Sequence, residues 1–190
     1  MRGPLSRPDV VGDFDCDDLV VGSPGESLGA DETASSIVII PGSRSGLNTA
    51  KTVSYHQDSP GVPGSAEDYD RFGETLAAGT TSSGKPYLLV GTPEEDLDEE
   101  DQGVVYYFRD SVWRTISQDT AGISGSTETD DGFGTAISVV SYRSSSTAAI
   151  SALVAVGVPS EALVDNRYER AGTAHLINVT ASGRSPNSPN

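Results

Sequence analysis

The chain is poor in the residues from which many catalytic and metal centres are built. Its 190 residues include one cysteine, Cys16, and two histidines, His56 and His175. An internal disulfide is therefore excluded, no Cys/His set with zinc-ligand spacing exists, and Cys16 reads as a small packing residue. Aromatic residues make up only 6% and hydrophobic residues 35%, enough for a folded core but with little surplus. Basic residues are scarce too, 12 against 28 acidic ones, which gives a formal charge of −16. So acidic a chain repels nucleic acid and anionic membrane surfaces, and cations or basic partners become the better candidates. No stretch approaches the ~20 apolar residues of a membrane-spanning helix, so no membrane span is expected. Residues 1–8 lack the apolar core of a signal peptide, which places any export signal outside this chain.

Catalytic signatures are missing as well. There is no Gly-x-Ser-x-Gly elbow, no His-Glu-x-x-His pair and no Gly-Lys-Ser/Thr phosphate loop. Acyl transfer needs a nucleophile, a base and a group that orients the base, and nothing in the chain points to such a set. His56 stands just before a turn and His175 lies within an apolar segment, so both read as structural. The sequence predicts a protein that is not an enzyme.

What is abundant is punctuation: 21 glycines and 11 prolines, separated by short runs rich in Val, Ile, Leu and Ala. That pattern predicts an all-β chain. Residues 181–190, rich in Ser, Pro and Asn, have little to bury and read as a disordered tail, and residues 1–8 as an N-terminal extension.

The punctuation repeats. Gln57-Asp58-Ser59-Pro60-Gly61-Val62-Pro63-Gly64-Ser65 returns as Gln118-Asp119-Thr120-Ala121-Gly122-Ile123-Ser124-Gly125-Ser126, and the copies lead into Asp70-Arg71-Phe72-Gly73 and Asp131-Gly132-Phe133-Gly134. Both landmarks are displaced by 61 residues. A Gly-x-Pro landmark closes an apolar run three times, at Gly22-Ser23-Pro24, Gly91-Thr92-Pro93 and Gly157-Val158-Pro159. Each unit then holds an apolar segment after Phe-Gly, the Gly-x-Pro segment, a third segment (36–40, 103–108, 172–179) and a fourth before the next Phe-Gly (51–55, 112–117). Four short strands per repeat of several tens of residues is the signature of a β-propeller blade. The runs 88–91 and 153–157 are apolar throughout, as strands covered on both faces should be.

On these residues the chain resembles the FG-GAP repeat family, the repeats of integrin α-chain propellers and of many secreted bacterial proteins. The resemblance rests on Phe72-Gly73, Phe133-Gly134, the three Gly-x-Pro positions where the family has Gly-Ala-Pro, and Gly103-Val104-Val105-Tyr106; it covers roughly residues 9–179. It implies four-stranded antiparallel blades: a partial first blade with its connection over 9–73, a second over 74–134 and a partial third over 135–180. That is about two and a half to three blades, whereas closed propellers need at least about four. The end sheets are therefore expected to expose faces that further blades of a longer chain, or copies of this one, would cover.

Family blades carry a calcium loop between their first two strands, because Ca²⁺ takes six to eight oxygens that alternating carboxylates on a turn can supply. The matching segment here, Gly12-Asp13-Phe14-Asp15-Cys16-Asp17-Asp18-Leu19, keeps the alternating acids Asp13, Asp15 and Asp17. It lacks the family's glycine and reaches the next strand early, so one degenerate Ca²⁺ site and a solvated turn both stand as readings. The second and third equivalents, 80–85 and 142–150, have no carboxylate. A separate run, Glu94-Glu95-Asp96-Leu97-Asp98-Glu99-Glu100-Asp101, reads as a solvated loop held open by its own repulsion, with a loose cation site or a contact for a basic partner as the alternatives.

The resemblance implies an extracellular, non-catalytic binding or adhesion module whose blade loops meet a protein or glycan. An accessory propeller beside a secreted hydrolase and a decayed fragment without present function are the alternatives.

Overall fold

The computed structural model describes residues 9–10, 16–29, 34–81, 84–143, 145–146, 151–162, 170–180 and 183–185. These form an all-β structure of several antiparallel sheets, none closed on itself. The first sheet holds β1 (Leu19–Ser23) and β2 (Ser36–Ile40); a two-stranded ribbon of β3 (Gly42–Ser43) and β4 (Gly46–Leu47) follows, and then β5 (Val53–Tyr55), which pairs with β2. The second sheet runs β6 (Thr75–Thr80), β7 (Pro86–Thr92), β8 (Val104–Arg109), β9 (Val112–Ile116). The third runs β10 (Ala136–Tyr142), β11 (Ser151–Val158), β12 (Thr173–Thr180), β13 (Gly183–Ser185).

In the two four-stranded sheets sequence order equals spatial order, so each is a meander of adjacent hairpins. The Gly-x-Pro glycines hold equivalent places in the register: Gly91 stands opposite Thr75 and Gly157 opposite Ala136, each at the start of the strand that follows Phe-Gly. Among the described residues the first sheet has no strand beyond β1 where β6 and β10 stand in the others.

The sheets stack face on face through two hydrophobic cores. Side chains alternate across a strand, so β7 and β8 can serve both. Leu88, Val90, Val104, Tyr106 and Phe108 face the first sheet, packing with Ile37, Ile39 and Phe72. Tyr87, Leu89, Val105 and Tyr107 face the third sheet, packing with Val154, Val156, Ile177 and Phe133. Both Phe-Gly phenylalanines are fully buried. At about 1.5–3 kcal/mol for each large side chain taken out of water, these joints outweigh any local strand preference in holding the stack together.

The stack is open at both ends. On the outward face of the first sheet Leu19 and Val21 are exposed, and on that of the third Val140 and Leu176 are each 57% exposed. The run 153–157 thus differs from expectation: Val154 and Val156 are buried, but Leu153 and Ala155 turn to a face that no described residue covers. A second difference lies in the expected tail. Backbone pairing of Gly183–Ser185 with β12 makes a fourth strand there. Such a ladder joins main-chain groups, which composition does not report.

Candidate functional site

In the second and third sheets, strands β6 and β10 begin, and β7 and β11 end, at one end of the sheets. The long connections 57–73, 93–103 and 118–134 all lie there, whereas the opposite end of the second sheet carries short turns at 81–85 and 110–111. The loop-bearing end is the candidate site.

Its framework is a duplicated connector. Positive φ angles recur in step at Gly61 and Gly122, Gly64 and Gly125, Tyr69 and Asp130, Arg71 and Gly132, and Gly73 and Gly134. The hydrogen bonds recur too. The His56 amide donates to Ser59 Oγ (2.9 Å) and the Ser117 amide to Thr120 Oγ1 (2.8 Å). Asp70 Oδ2 accepts the Glu67 amide and Asp131 Oδ2 the Glu128 amide, each at 2.7 Å. Gln57 Nε2 donates to the Ser65 carbonyl and Gln118 Nε2 to that of Ser126, each at 3.3 Å.

Each glutamine also donates to a glutamate of the sheet its connector leads into: Gln57 to Glu95, and Gln118 to Glu161. This clasp was missed in the sequence, although a signal exists. Gly-x-Pro-x-Glu occurs three times, at 22–26, 91–95 and 157–161. The three glutamate carbonyls also accept equivalent bonds that close the loops, from Ser35 (2.9 Å), Gly103 (3.1 Å) and Gly172 (3.0 Å).

Glu95 corrects the reading of the acidic run as a freely solvated loop. It is 3% exposed and turned inward, held by Gln57 and by the Tyr106 hydroxyl, which donates to Oε1 at 3.2 Å. The rest of the loop is folded around Gln102, whose Oε1 accepts the amides of Asp98 (3.2 Å) and Glu99 (2.9 Å). It is docked on the second connector by backbone bonds from Asp130, Gly132 and Phe133 to the carbonyls of Glu100, Asp101 and Gln102. Repulsion does not open it because partners take up its backbone and its one buried carboxyl.

Burial sets the electrostatics. Desolvation pushes the Asp70 carboxyl up to about 7, against hydrogen bonds from the Glu67 amide and Gln57 that favour the anion. It pushes Glu95 up to about 8, with repulsion from Asp70 adding to the effect. Asp131 and Glu161 are raised for the same first reason. Asp101 is raised by partial burial and then by its neighbours Glu94, Asp96, Asp130 and Glu100.

Between the loops of the second and third sheets lies a cleft of about 220 Å³, lined by Arg71, Glu74, Glu94, Asp101, Asp130 and Arg170 among others. Its two guanidiniums are already paired, Arg71 with Glu94 (3.0 Å) and Glu74 (3.2 Å), Arg170 with Asp130 (3.5 Å). What remains is a rim with more carboxylates than cations, set on backbone fixed by the connectors.

The expected calcium ligands precede β1 in the chain, and none of the described ones lines this cleft. Asp13 and Asp15 fall outside the described residues. Asp17 is described, and its neighbour Asp18 accepts the Gly42 amide at 3.0 Å. Among the described residues no group of three or more His, Cys, Asp or Glu is placed to hold a metal ion. His175 lies in β12 against the Phe133 ring, centroids 5.8 Å apart, where Tyr106 lies against Phe72 at 5.3 Å in the preceding joint. Burial lowers the pKa of His175. No known protein-family model matches the chain, and no curated protein matches it significantly. No described helix is long and apolar enough to cross a membrane.

Proposed function

We propose that the chain is a run of FG-GAP-like β-propeller blades, open as a ring, that works outside the cell as a non-catalytic binding or adhesion module. Its ligand is a protein or glycan bearing basic groups, met at the loop-bearing end. The observation that carries this reading is the gathering of the long connections at one end, on a backbone conformation repeated bond for bond from one connector to the next. A rigid scaffold that presents variable side chains on fixed loops is how binding surfaces are commonly built. The unbalanced acids around Asp101 and Asp130 supply the sign of the partner: a cationic group seated there would relieve the repulsion that adds to partial burial in raising Asp101.

A lysine-rich peptide titrated against the chain, followed by fluorescence anisotropy at low and high salt, tests the reading. Salt-sensitive binding that weakens several-fold in Asp101→Asn with Asp130→Asn is the expected result, each exposed pair contributing about 0.2–1 kcal/mol. Binding that is absent, or indifferent to both substitutions, would remove the loop-bearing end as the site.

A further inference from the structure

The two joints between sheets differ in one place. At the first joint the ring of Tyr55, at the end of β5, packs on Phe108 (centroids 5.7 Å apart) and Trp113 (5.4 Å). The displacement of 61 residues between connectors sets Ile116 where Tyr55 stands, each just ahead of the amide that opens its connector. Phe108 lies three residues after Val105, the partner of Gly91, and Ile177 lies three after Ala174, the partner of Gly157. Two aliphatic side chains thus stand at the second joint where two rings stand at the first. Ile116 lines a cavity there of about 130 Å³, together with Tyr107, Arg114, Thr120 and Val179.

The walls of this cavity suit a ring. Ile116, Val179 and Tyr107 are buried, and Tyr107 is stacked on Tyr87 with centroids 5.7 Å apart, which holds its ring out of the space. An apolar cavity of about 150 Å³ takes up a molecule the size of benzene. The mouth suits an anion. Arg114 stands opposite Tyr107 in the β8–β9 register and so on the same face, where the first repeat has Val53. Arg71, Arg109 and Arg170 are each held by a carboxylate, whereas Arg114 forms no ion pair with a described residue. Acidic as the chain is, no carboxylate is among the residues that line this cavity. The charge of Arg114 also reaches the wall: burial raises the pKa of the Tyr107 hydroxyl, and Arg109 and Arg114 oppose the rise.

We propose that the cavity between β9 and β12 is a binding site for a small monocyclic aromatic acid, its ring seated among Ile116, Val179 and Tyr107 and its carboxylate on Arg114. The planar guanidinium matches a carboxylate with two parallel hydrogen bonds. The ring of the ligand takes the place that Tyr55 fills at the first joint, so the same position in the repeat is closed by the chain itself in one copy and by a ligand in the next. This site goes beyond the function proposed above, because its ligand is anionic and meets none of the acids at the loop-bearing end.

The test titrates benzoate into the full chain with labelled methyl groups and follows it by NMR, with benzyl alcohol as the neutral ring probe. Benzoate should bind saturably at millimolar concentration, as suits a ligand of so few atoms, and shift the methyl signals of Ile116 and Val179. It should bind about fivefold more tightly than benzyl alcohol, a preference that Arg114→Ala removes. Ile116→Tyr, which gives the second joint the ring that the first carries, should abolish binding of both probes without lowering the melting temperature. Absence of saturable binding, shifts confined to other methyls, or equal affinity for the two probes would each overturn the proposal. So would benzoate binding that survives Ile116→Tyr in a folded chain. Should that variant unfold, the methyl shifts of the unsubstituted chain and the Arg114→Ala comparison decide. Capture of a lysine-rich peptide tests the loop-bearing end separately, so the two can fail independently.

Discussion

The connector ahead of the second sheet and the connector ahead of the third have the same turns and the same Gln-to-Glu clasp, yet they enclose different surroundings. In the first, Gln57, Asp70, Glu95 and Tyr106 are all buried, and repulsion between the two carboxyls adds to the effect of burial on Glu95. In the second, Asp131 and Glu161 are raised less far, and His175 takes the place of the tyrosine that bonds Glu95. The backbone of a repeat is thus fixed by a few turn residues and one clasp, while the protonation behaviour of the same clasp is set first by desolvation of its carboxyls, with repulsion from Asp70 adding to it at Glu95.

Four measurements would break or sharpen this comparison. The largest effect belongs to what the connectors share. Phe72→Ala and Phe133→Ala should each cost about 3–5 kcal/mol in urea melts, as truncation of a buried aromatic does. A near-neutral result at either would show that the two joints are not equivalent.

The pH dependence probes what they do not share. Folded Asp70 and Glu95 hold protons up to about 7 and about 8, well above their ordinary values of 3.8 and 4.5. Between those limits the folded chain binds more protons than the unfolded one, so stability should fall as pH rises from about 4 to about 8, by several kcal/mol, about 1.4 kcal/mol for each pH unit between the unfolded and folded values of each group. Asp70→Asn with Glu95→Gln should flatten that slope, whereas Asp131→Asn with Glu161→Gln should change it less. Equal flattening by both pairs would erase the distinction drawn here.

Next come the clasps themselves. Gln57→Ala leaves Glu95 buried with one partner fewer and should cost about 2–3 kcal/mol, against about 1 for Gln118→Ala. Thermal melts at one pH compare them directly. The smallest effect is expected from the cleft: Arg71→Ala removes exposed ion pairs worth no more than about 1 kcal/mol in total and should change salt-dependent peptide binding more than stability.

The amino-acid sequence made the spacing of the strands legible, because turn residues mark it: Phe-Gly and Gly-x-Pro flank β6, β7, β10 and β11 to within a residue or two. Less visible was anything requiring knowledge of what lies across a joint. Glu95 belongs to a run of seven acids, and only Gln57, 38 positions earlier, explains why it turns inward. Leu153 and Ala155 carry the composition of a strand covered on both faces but occupy a sheet with one described neighbour. At the tail, Gly183–Ser185 pairs through its backbone, which side-chain composition does not reveal.

The second sheet alone has a described neighbour on each face, and this asymmetry fixes an order of loosening. Where each layer is stabilised chiefly by the layers it touches, fraying begins at the outer layers and moves inward. The amides of β7 and β8 should therefore exchange with deuterium more slowly than any others in the chain, making the middle sheet the part that persists when its companions let go.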